Sequence, residues 1–365
     1  MVPSVGILLV SAMLLTARGE GATIAVKQHG PESTSDTNGE PPPCTVTQLV
    51  GHAGPGQPGG WIRGTDEVRP SYDCSCPYYK ARYFCPHLPE ERHSYVWQPH
   101  AVAGGECTPT RMETIMEDVF PPGYTVFVFG NSHTRQPVEA LLCQFADQVV
   151  SRNCSARTDF QDSTEKRKMI GLDEQCRGYD PIMKQQLVNH NCFDTKASRH
   201  AFNCRDDTSS FTLRNGASIH YKFSDEHIMS KNILREIASM GLDLVDVDVV
   251  FSNGGNGKEM SFKDLHESAR ALKESETLLV WLSKFYNRNT IYTGPRGKAL
   301  RDIDVIQFDM STMMRTHLKP VKEFSHRFVE GRAGDTHYCM PGPPDELGIL
   351  FARIVWAHFL RQQDV

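Results

Sequence analysis

From about residue 120 the sequence alternates short apolar runs, rich in β-branched and aromatic residues, with stretches of helical periodicity. Few folds accommodate that alternation, and the commonest is a mostly parallel sheet with helices packed on it. Thr125–Phe129 (TVFVF) reads as a buried strand that Gly130-Asn131-Ser132 breaks. Val138, Leu141, Leu142 and Phe145 then recur at i, i+3, i+4 and i+7, one face of a helix. Asn215-Gly216 between two β-like segments predicts a hairpin within Ser210–Phe223. Asp225–Met240 reads as a helix and Leu244–Phe251 (LVDVDVVF) as a strand. Ser261-x-x-Asp264 reads as the start of a helix that runs to about Glu274. Thr277–Leu282 and Val305–Phe308 are further short strands. A last helix carries Leu347, Leu350, Phe351, Ile354 and Val355 on one face, with Asp345 and Glu346 in its first turn, where they complement the helix dipole. The expected class is α/β, and the sequence contains no internal repeat.

The first third of the chain is patterned differently. Val5–Thr16 is an apolar run of 12 residues followed by Ala17, Gly19, Gly21 and Ala22, which predicts a secretory signal peptide over 1–22. The alternative is a short signal-anchor over Met1–Ala17. Lys27–Pro43 is polar and rich in Pro, Ser and Gly, so residues 23–43 read as a disordered linker. Most of the eleven cysteines fall within Cys44–Cys204, the pattern of a disulfide framework in an oxidising compartment. Cys74-Ser-Cys76 lacks the two-residue gap of a zinc knuckle and no second Cys-x2-Cys follows, so disulfides are expected rather than metal. An odd count leaves at least one thiol free or paired with another chain. Residues 44–118 are expected to form an irregular Cys-rich lobe, with Trp61, Tyr78, Tyr79, Tyr83, Phe84, Tyr95 and Trp97 as a small aromatic core, and 119–365 the α/β domain. Asn153-Cys154-Ser155 is a glycosylation sequon, expected in a surface loop, with which a disulfide at Cys154 would compete.

Charge and composition narrow the function. Lys plus Arg is 39 and Asp plus Glu is 44, so the net charge is 39 − 44 = −5. Such a chain is ill-suited to neutralise nucleic-acid phosphates, and no nucleic-acid partner is expected. No run beyond the first 17 residues is apolar for long enough to span a bilayer, so no stable membrane span is expected once the signal is cleaved. No motif calls for a metal, a nucleotide or another cofactor.

Three segments carry chemistry. Phe129-Gly130-Asn131-Ser132-His133-Thr134-Arg135 lies where a strand gives way to a helix, and in open α/β sheets that carboxyl-end crevice is where ligands bind. A serine there presents its hydroxyl to the crevice, and the helix N-terminal N–H groups can stabilise an oxyanion. The simpler reading is that Ser132 or Asn131 caps the helix. Asp335 and His337, in the loop Gly334–Asp345, supply an acid and a base of the kind a serine nucleophile needs. In Val249–Gly257 a strand empties into a loop holding Asn253, Gly254 and Asn256, through which backbone N–H and an Asn amide could approach a substrate oxygen. An ordinary Gly/Asn turn fits that loop as well.

Taken together these segments resemble a known family. Gly130-Asn131-Ser132-x-x-Arg135-Gln136 with Glu139-x-Leu141-Leu142-Cys143 is similar to the Gly-Asp-Ser block of the trichome-birefringence-like and PC-esterase proteins. His337-Tyr338-Cys339-Met340-Pro341-Gly342-x-Pro344-Asp345 is similar to their C-terminal Asp-x-x-His-Trp-Cys-Leu-Pro-Gly block. Gly60-Trp61, the cysteines of Tyr72–Cys85 and Tyr95-x-Trp97-x-Pro99 resemble their N-terminal Cys-rich lobe. The resemblance runs from Cys44 to the C-terminus and is poor over about 150–240. It implies an SGNH-type three-layer α/β/α fold, and a protein of the Golgi lumen or cell exterior that moves or removes O-acyl groups on polysaccharides. Ser132 then matches the nucleophile, His337 the base and Arg135 the arginine that follows the serine, which by its spacing could also pair with Glu139. Either Asn253 or Asn256 matches the asparagine that helps Gly130 and Ser132 form the oxyanion hole.

Two positions depart from the pattern. Asn131 stands where the family has Asp. The family's Asp three residues before the His is Gly334 here, so Asp335 is the candidate acid, while Asp345 fits a helix cap better. Three functions follow: a polysaccharide O-acetyltransferase whose acetyl donor is undefined, an acetyl esterase of the same fold, and a non-catalytic glycan-binding relative. A cross-link between the lobe and the α/β domain is expected through Cys143 and Cys339.

Overall fold

A computed structural model describes residues 40–51, 59–63, 72, 76, 95–155, 178–180, 185–187, 208–223, 232–254, 260–285, 291–317, 338, 340 and 342–364. The strands are β1 (Gly59–Arg63), β2 (Tyr95–Pro99), β3 (Thr125–Gly130), β4 (Val149–Ser155), β5 (Gly178–Asp180), β6 (Gln185–Leu187), β7 (Thr208–Leu213), β8 (Ser218–Phe223), β9 (Val249–Ser252), β10 (Leu278–Leu282) and β11 (Ile306–Phe308). The α-helices are α1 (Val46–Val50), α2 (His100–Ala103), α3 (Met112–Glu117), α4 (Ser132–Gln144), α5 (Ile233–Ser239), α6 (Phe262–Glu274), α7 (Gly294–Arg301), α8 (Met310–His317) and α9 (Pro343–Gln363).

Seven strands form one sheet in the order β11-β10-β9-β3-β8-β7-β4. The run from β11 to β8 is parallel, and β7 and β4 complete it as antiparallel strands. This is the mixed α/β class with a mostly parallel sheet that the alternation predicted. Period-2 side chains divide β3 between two cores: Val126 and Val128 join Leu141, Leu142, Leu350 and Phe351 of α4 and α9, while Phe127 and Phe129 join Ile237, Leu265, Leu272 and Leu300 of α5, α6 and α7. Both faces of the parallel part are therefore covered by helices, which is why its strands are nearly all apolar.

The edges of several elements differ from the sequence reading. Leu244–Asp246 is a turn of 3-10 helix, and β9 pairs only from Val249. The alternating LVDVDVVF pattern imitates a longer strand, but Val245 is 78 % exposed, and Asp248 turns its carboxylate to the N–H of Thr125 (2.7 Å) at the sheet rim. Asn232 caps α5, accepting from Leu234 and Arg235, so this helix begins at Ile233, and the part of the expected helix from Asp225 to Lys231 lies outside the described residues. The sequon asparagine, Asn153, lies exposed in strand β4 rather than in a loop, paired across from Ser210. The end of the expected linker is tied down: Thr108 donates to the carbonyls of Pro42 (2.8 Å) and Pro41 (3.3 Å). Helices α7 and α8 have no counterpart in the sequence reading.

The residues from Pro41 to Val365 cluster as one unit, so the Cys-rich lobe packs on the sheet domain instead of standing apart. Trp61 and Trp97 meet edge to face at 5.6 Å as its aromatic centre. The indole of Trp61 donates to Met313 O (3.1 Å), and Trp97 N donates to Glu346 (3.1 Å) at the start of α9. A Cys44–Cys107 disulfide closes the lobe and Cys76–Cys143 fastens it to α4, so the expected cross-link through Cys143 is present. Cys339, residues 1–39 and Tyr78, Tyr79, Tyr83 and Phe84 lie outside the described residues. No helix of the described residues is long and apolar enough to cross a membrane.

Candidate functional site

Strand β3 has the earlier β8 on one side and the later β9 on the other, so the strand order reverses between β3 and β9. The carboxyl ends of such a strand pair open a crevice. Gly130-Asn131-Ser132 and Ser252-Asn253-Gly254 stand at those two ends, and the structure joins them. Asn253 Nδ2 donates to Asn131 Oδ1 (2.8 Å), and Asn131 N donates to Asn253 Oδ1 (3.3 Å). Asn131 Oδ1 also accepts from His133 N (2.9 Å), which makes Asn131 the N-cap of α4. Both asparagines are buried, so each amide is a strut as well as a cap or donor.

The turn is fixed from several sides. Tyr221 of β8 donates its hydroxyl to the carbonyls of Gly130 (3.3 Å) and Asn131 (3.2 Å). Thr134 Oγ1 donates to Asn131 O (2.8 Å). Gly130 has no room for a side chain, since a Cβ would lie 2.3 Å from Asn253 Oδ1. Gly254 holds φ +71° with Trp281 directly over it, where a Cβ would meet the indole at 2.9 Å. Ser132 occupies the first position of α4 and is half-buried, unlike the sealed Asn131 beside it. Its hydroxyl therefore sits at the positive end of a 13-residue helix, where the N–H groups of His133, Thr134 and Arg135 already donate to Asn131.

Arg135 is buried at 5 % exposure and pairs with Glu139 at 3.1 Å, with its guanidinium 5.0 Å from the centre of the Phe223 ring. The i,i+4 pairing weighed from the sequence is thus present. Arg135 braces α4 against the end of β8.

The second half of the site reaches α4 through Gln136. Gln136 Nε2 donates to Tyr338 O (2.8 Å), and Tyr338 N donates to Gln136 Oε1 (3.3 Å). The Tyr338 ring meets Phe285 edge to face at 5.6 Å, and Phe285 stacks on His133 at 4.6 Å. Residue 338 thereby rests one helical turn beyond Ser132. A few residues on, Gly348 of α9 lies so close to α4 that a Cβ would be 2.8 Å from Pro137 O. Asp345 Oδ2 accepts from Gly342 N (2.7 Å), which makes it a cap of α9.

Among the candidates, Gly130, Asn131, Ser132, Arg135, Asn253 and Gly254 come together, and Asn253 is the loop asparagine that touches the serine turn. Asn256, Asp335 and His337 lie outside the described residues. Gln136, Tyr221, Phe285 and Tyr338 had no role assigned from sequence. Gln136 carried a signal, a glutamine amid the buried positions of an apolar helix, whereas Tyr221 is found only through strand register. Among the described residues no group of His, Cys, Asp or Glu could hold a metal ion.

No protein-family model matches this chain, and no curated protein matches it at a significant level. Fold and site together define a mixed α/β protein with a built turn at the switch point of a mostly parallel sheet.

Proposed function

We propose that the chain is an acyl-transfer protein of the SGNH type, moving O-acetyl groups on a polysaccharide through an acyl-enzyme on Ser132. The observation that carries this reading is the two-bond clamp between Gln136 and the backbone of Tyr338. It brings the residue next to His337 to the helix that begins at Ser132, two segments far apart in sequence.

In the reaction His337 takes the Ser132 proton as Oγ attacks the acyl carbon. The tetrahedral oxyanion is met by Ser132 N–H and the Asn253 amide. Collapse expels the first alcohol, which leaves with the proton held by His337. A sugar hydroxyl, deprotonated by His337, then attacks the acyl-enzyme and releases Ser132. Asp335 would hold the imidazole tautomer. With water as second acceptor the same half-reaction is an esterase.

A fluorophosphonate probe separates these readings from a binding protein. Wild type is expected to label and Ser132→Ala is not; a folded wild type that never labels overturns the proposal. Asp335→Asn should slow labelling, by up to about four orders of magnitude if the acid acts as it does in serine proteases. Asp345→Asn should cost only helix-cap stability.

A further inference from the structure

We propose that Lys284 reads an anionic group on the saccharide, so that the substrate is an acidic glycan bearing a carboxylate or sulfate near the acylated hydroxyl. The inference rests on Ser132 being the acyl-transfer centre and adds the class of substrate.

Lys284 is 7 % exposed, and its side chain takes part in no hydrogen bond or ion pair among the described residues, while its carbonyl accepts from Ser283 Oγ (3.1 Å). The other buried Arg and Lys side chains are provided for: Arg135 by Glu139 (3.1 Å) and Arg353 by the carbonyl of Thr110 (3.3 Å). The carboxylate beside this segment is Asp309, and hydroxyls occupy it. Ser311 and Thr312 each donate to it at 2.6 Å and Ser283 at 3.2 Å. Its stem is packed while the ammonium keeps contact with solvent, so the positive charge is presented at the rim without a carboxylate partner among the described residues and is open to an anionic ligand.

Register gives its place. Phe129, Ser252 and Trp281 lie level across β3, β9 and β10. Ser132 and Lys284 each stand three residues beyond that level at the carboxyl ends, two strands apart. At about 4.8 Å per strand, that is on the order of 10 Å across the rim, about the span of a monosaccharide and its substituent. The next residue, Phe285, stacks on His133 (4.6 Å) and meets Tyr338 (5.6 Å), so Lys284 adjoins both halves of the site. A lysine suits the task because its compact charge accepts a carboxylate or a sulfate without the planar fork that an arginine imposes.

The test compares wild type, Lys284→Met and Lys284→Arg on two acetylated oligosaccharides of equal length, one with a uronic acid next to the acetylated sugar and one neutral. Wild type should prefer the acidic substrate, and the preference should shrink as salt rises. Lys284→Met should lower the acidic-over-neutral ratio of kcat/KM at least tenfold, mainly through KM, and Lys284→Arg should restore most of it. Equal losses on both substrates, or no acidic preference in wild type, would overturn the proposal. Titration of the deacetylated acidic oligosaccharide into each protein keeps the question separate from catalysis. Tighter binding to wild type than to Lys284→Met supports it even if Ser132 never labels, and equal binding refutes it.

Discussion

Replacing Gln136 by Leu tests the joint between the two halves of the site. Gln136 and Tyr338 are almost fully sealed, at 0 % and 1 % exposure, so water cannot replace the two bonds they exchange. Leucine keeps most of the volume, which limits any cavity. What it removes is both bonds that the Gln136 amide makes with the buried backbone N–H and C=O of Tyr338. Each such group costs about 1–3 kcal/mol when unmet, and the greasier side chain returns part of that, so the net loss should be about 2–4 kcal/mol. Urea unfolding with an unchanged m-value measures it. The same change frees the segment beside His337, so fluorophosphonate labelling of Ser132 should slow at least tenfold at a temperature where the variant is still folded. Gln136→Glu retains the acceptor and loses the donor, and it should fall between the two. A loss below about 1 kcal/mol with unaltered labelling would refute the claim that this amide holds the C-terminal segment on α4.

Three other outcomes follow. Glu276 and Asp304 both adopt left-handed backbone (φ 59° and 60°) just past α6 and α7, where their successors Thr277 and Val305 donate back to Leu272 O (2.9 Å) and Leu300 O (3.0 Å). Glycine suits that position, so Glu276→Gly should raise stability by about 0.5–1 kcal/mol in thermal unfolding; Asp304→Gly should gain less, because it also breaks the exposed 2.9 Å pair with Lys273. Burial, and then the nearby Arg361, hold the His358 imidazole down to about 4. A depressed folded pKa means that the unfolded chain binds the extra proton, so stability present above pH 6.5 should be lost as pH falls toward 4, by about 1–2 kcal/mol for a half-buried group, and His358→Gln should flatten that limb. Burial raises the Asp248 pKa, which acts in the opposite sense in the window above its ordinary 3.8. Finally, Cys143→Ala opens a link between residues 67 apart, and chain entropy predicts a loss of about 4 kcal/mol, measurable as a drop in the denaturation midpoint.

What the sequence revealed was local, and what it hid was relational. The strand Thr125–Gly130, the helix from Ser132 and the hairpin at Asn215-Gly216 could be read because each is fixed by its own periodicity or turn chemistry. The false extension of β9 shows the limit: alternation marks what a strand would bury, while pairing partners decide where it begins, and those lie at Val126 and Leu278. The same holds at the site. A glycine and two asparagines at the ends of two strands were visible as candidates, but nothing local shows that Asn131 and Asn253 would exchange hydrogen bonds across a 122-residue separation. Nor does any short window reveal that the Tyr221 hydroxyl secures the serine turn, since that depends on β8 lying beside β3.

This division bears on where specificity arises. The turn that carries Ser132 is bonded from β8, β9 and its own helix, and its glycine has no space to vary, so the turn holds one geometry. If Ser132 is the acyl-transfer centre proposed above, a group held so firmly can lower the barrier to that transfer but cannot distinguish one saccharide from another. That distinction falls to side chains at the rim, which the register puts at the ends of β10 and β11. There Lys284 brings a positive charge that no carboxylate of the described residues meets, the nearby Asp309 accepting from the hydroxyls of Ser283, Ser311 and Thr312. On the proposed reading, a rigid acyl centre beside that charge is the arrangement expected when reaction type and substrate choice are assigned to different strands of one sheet.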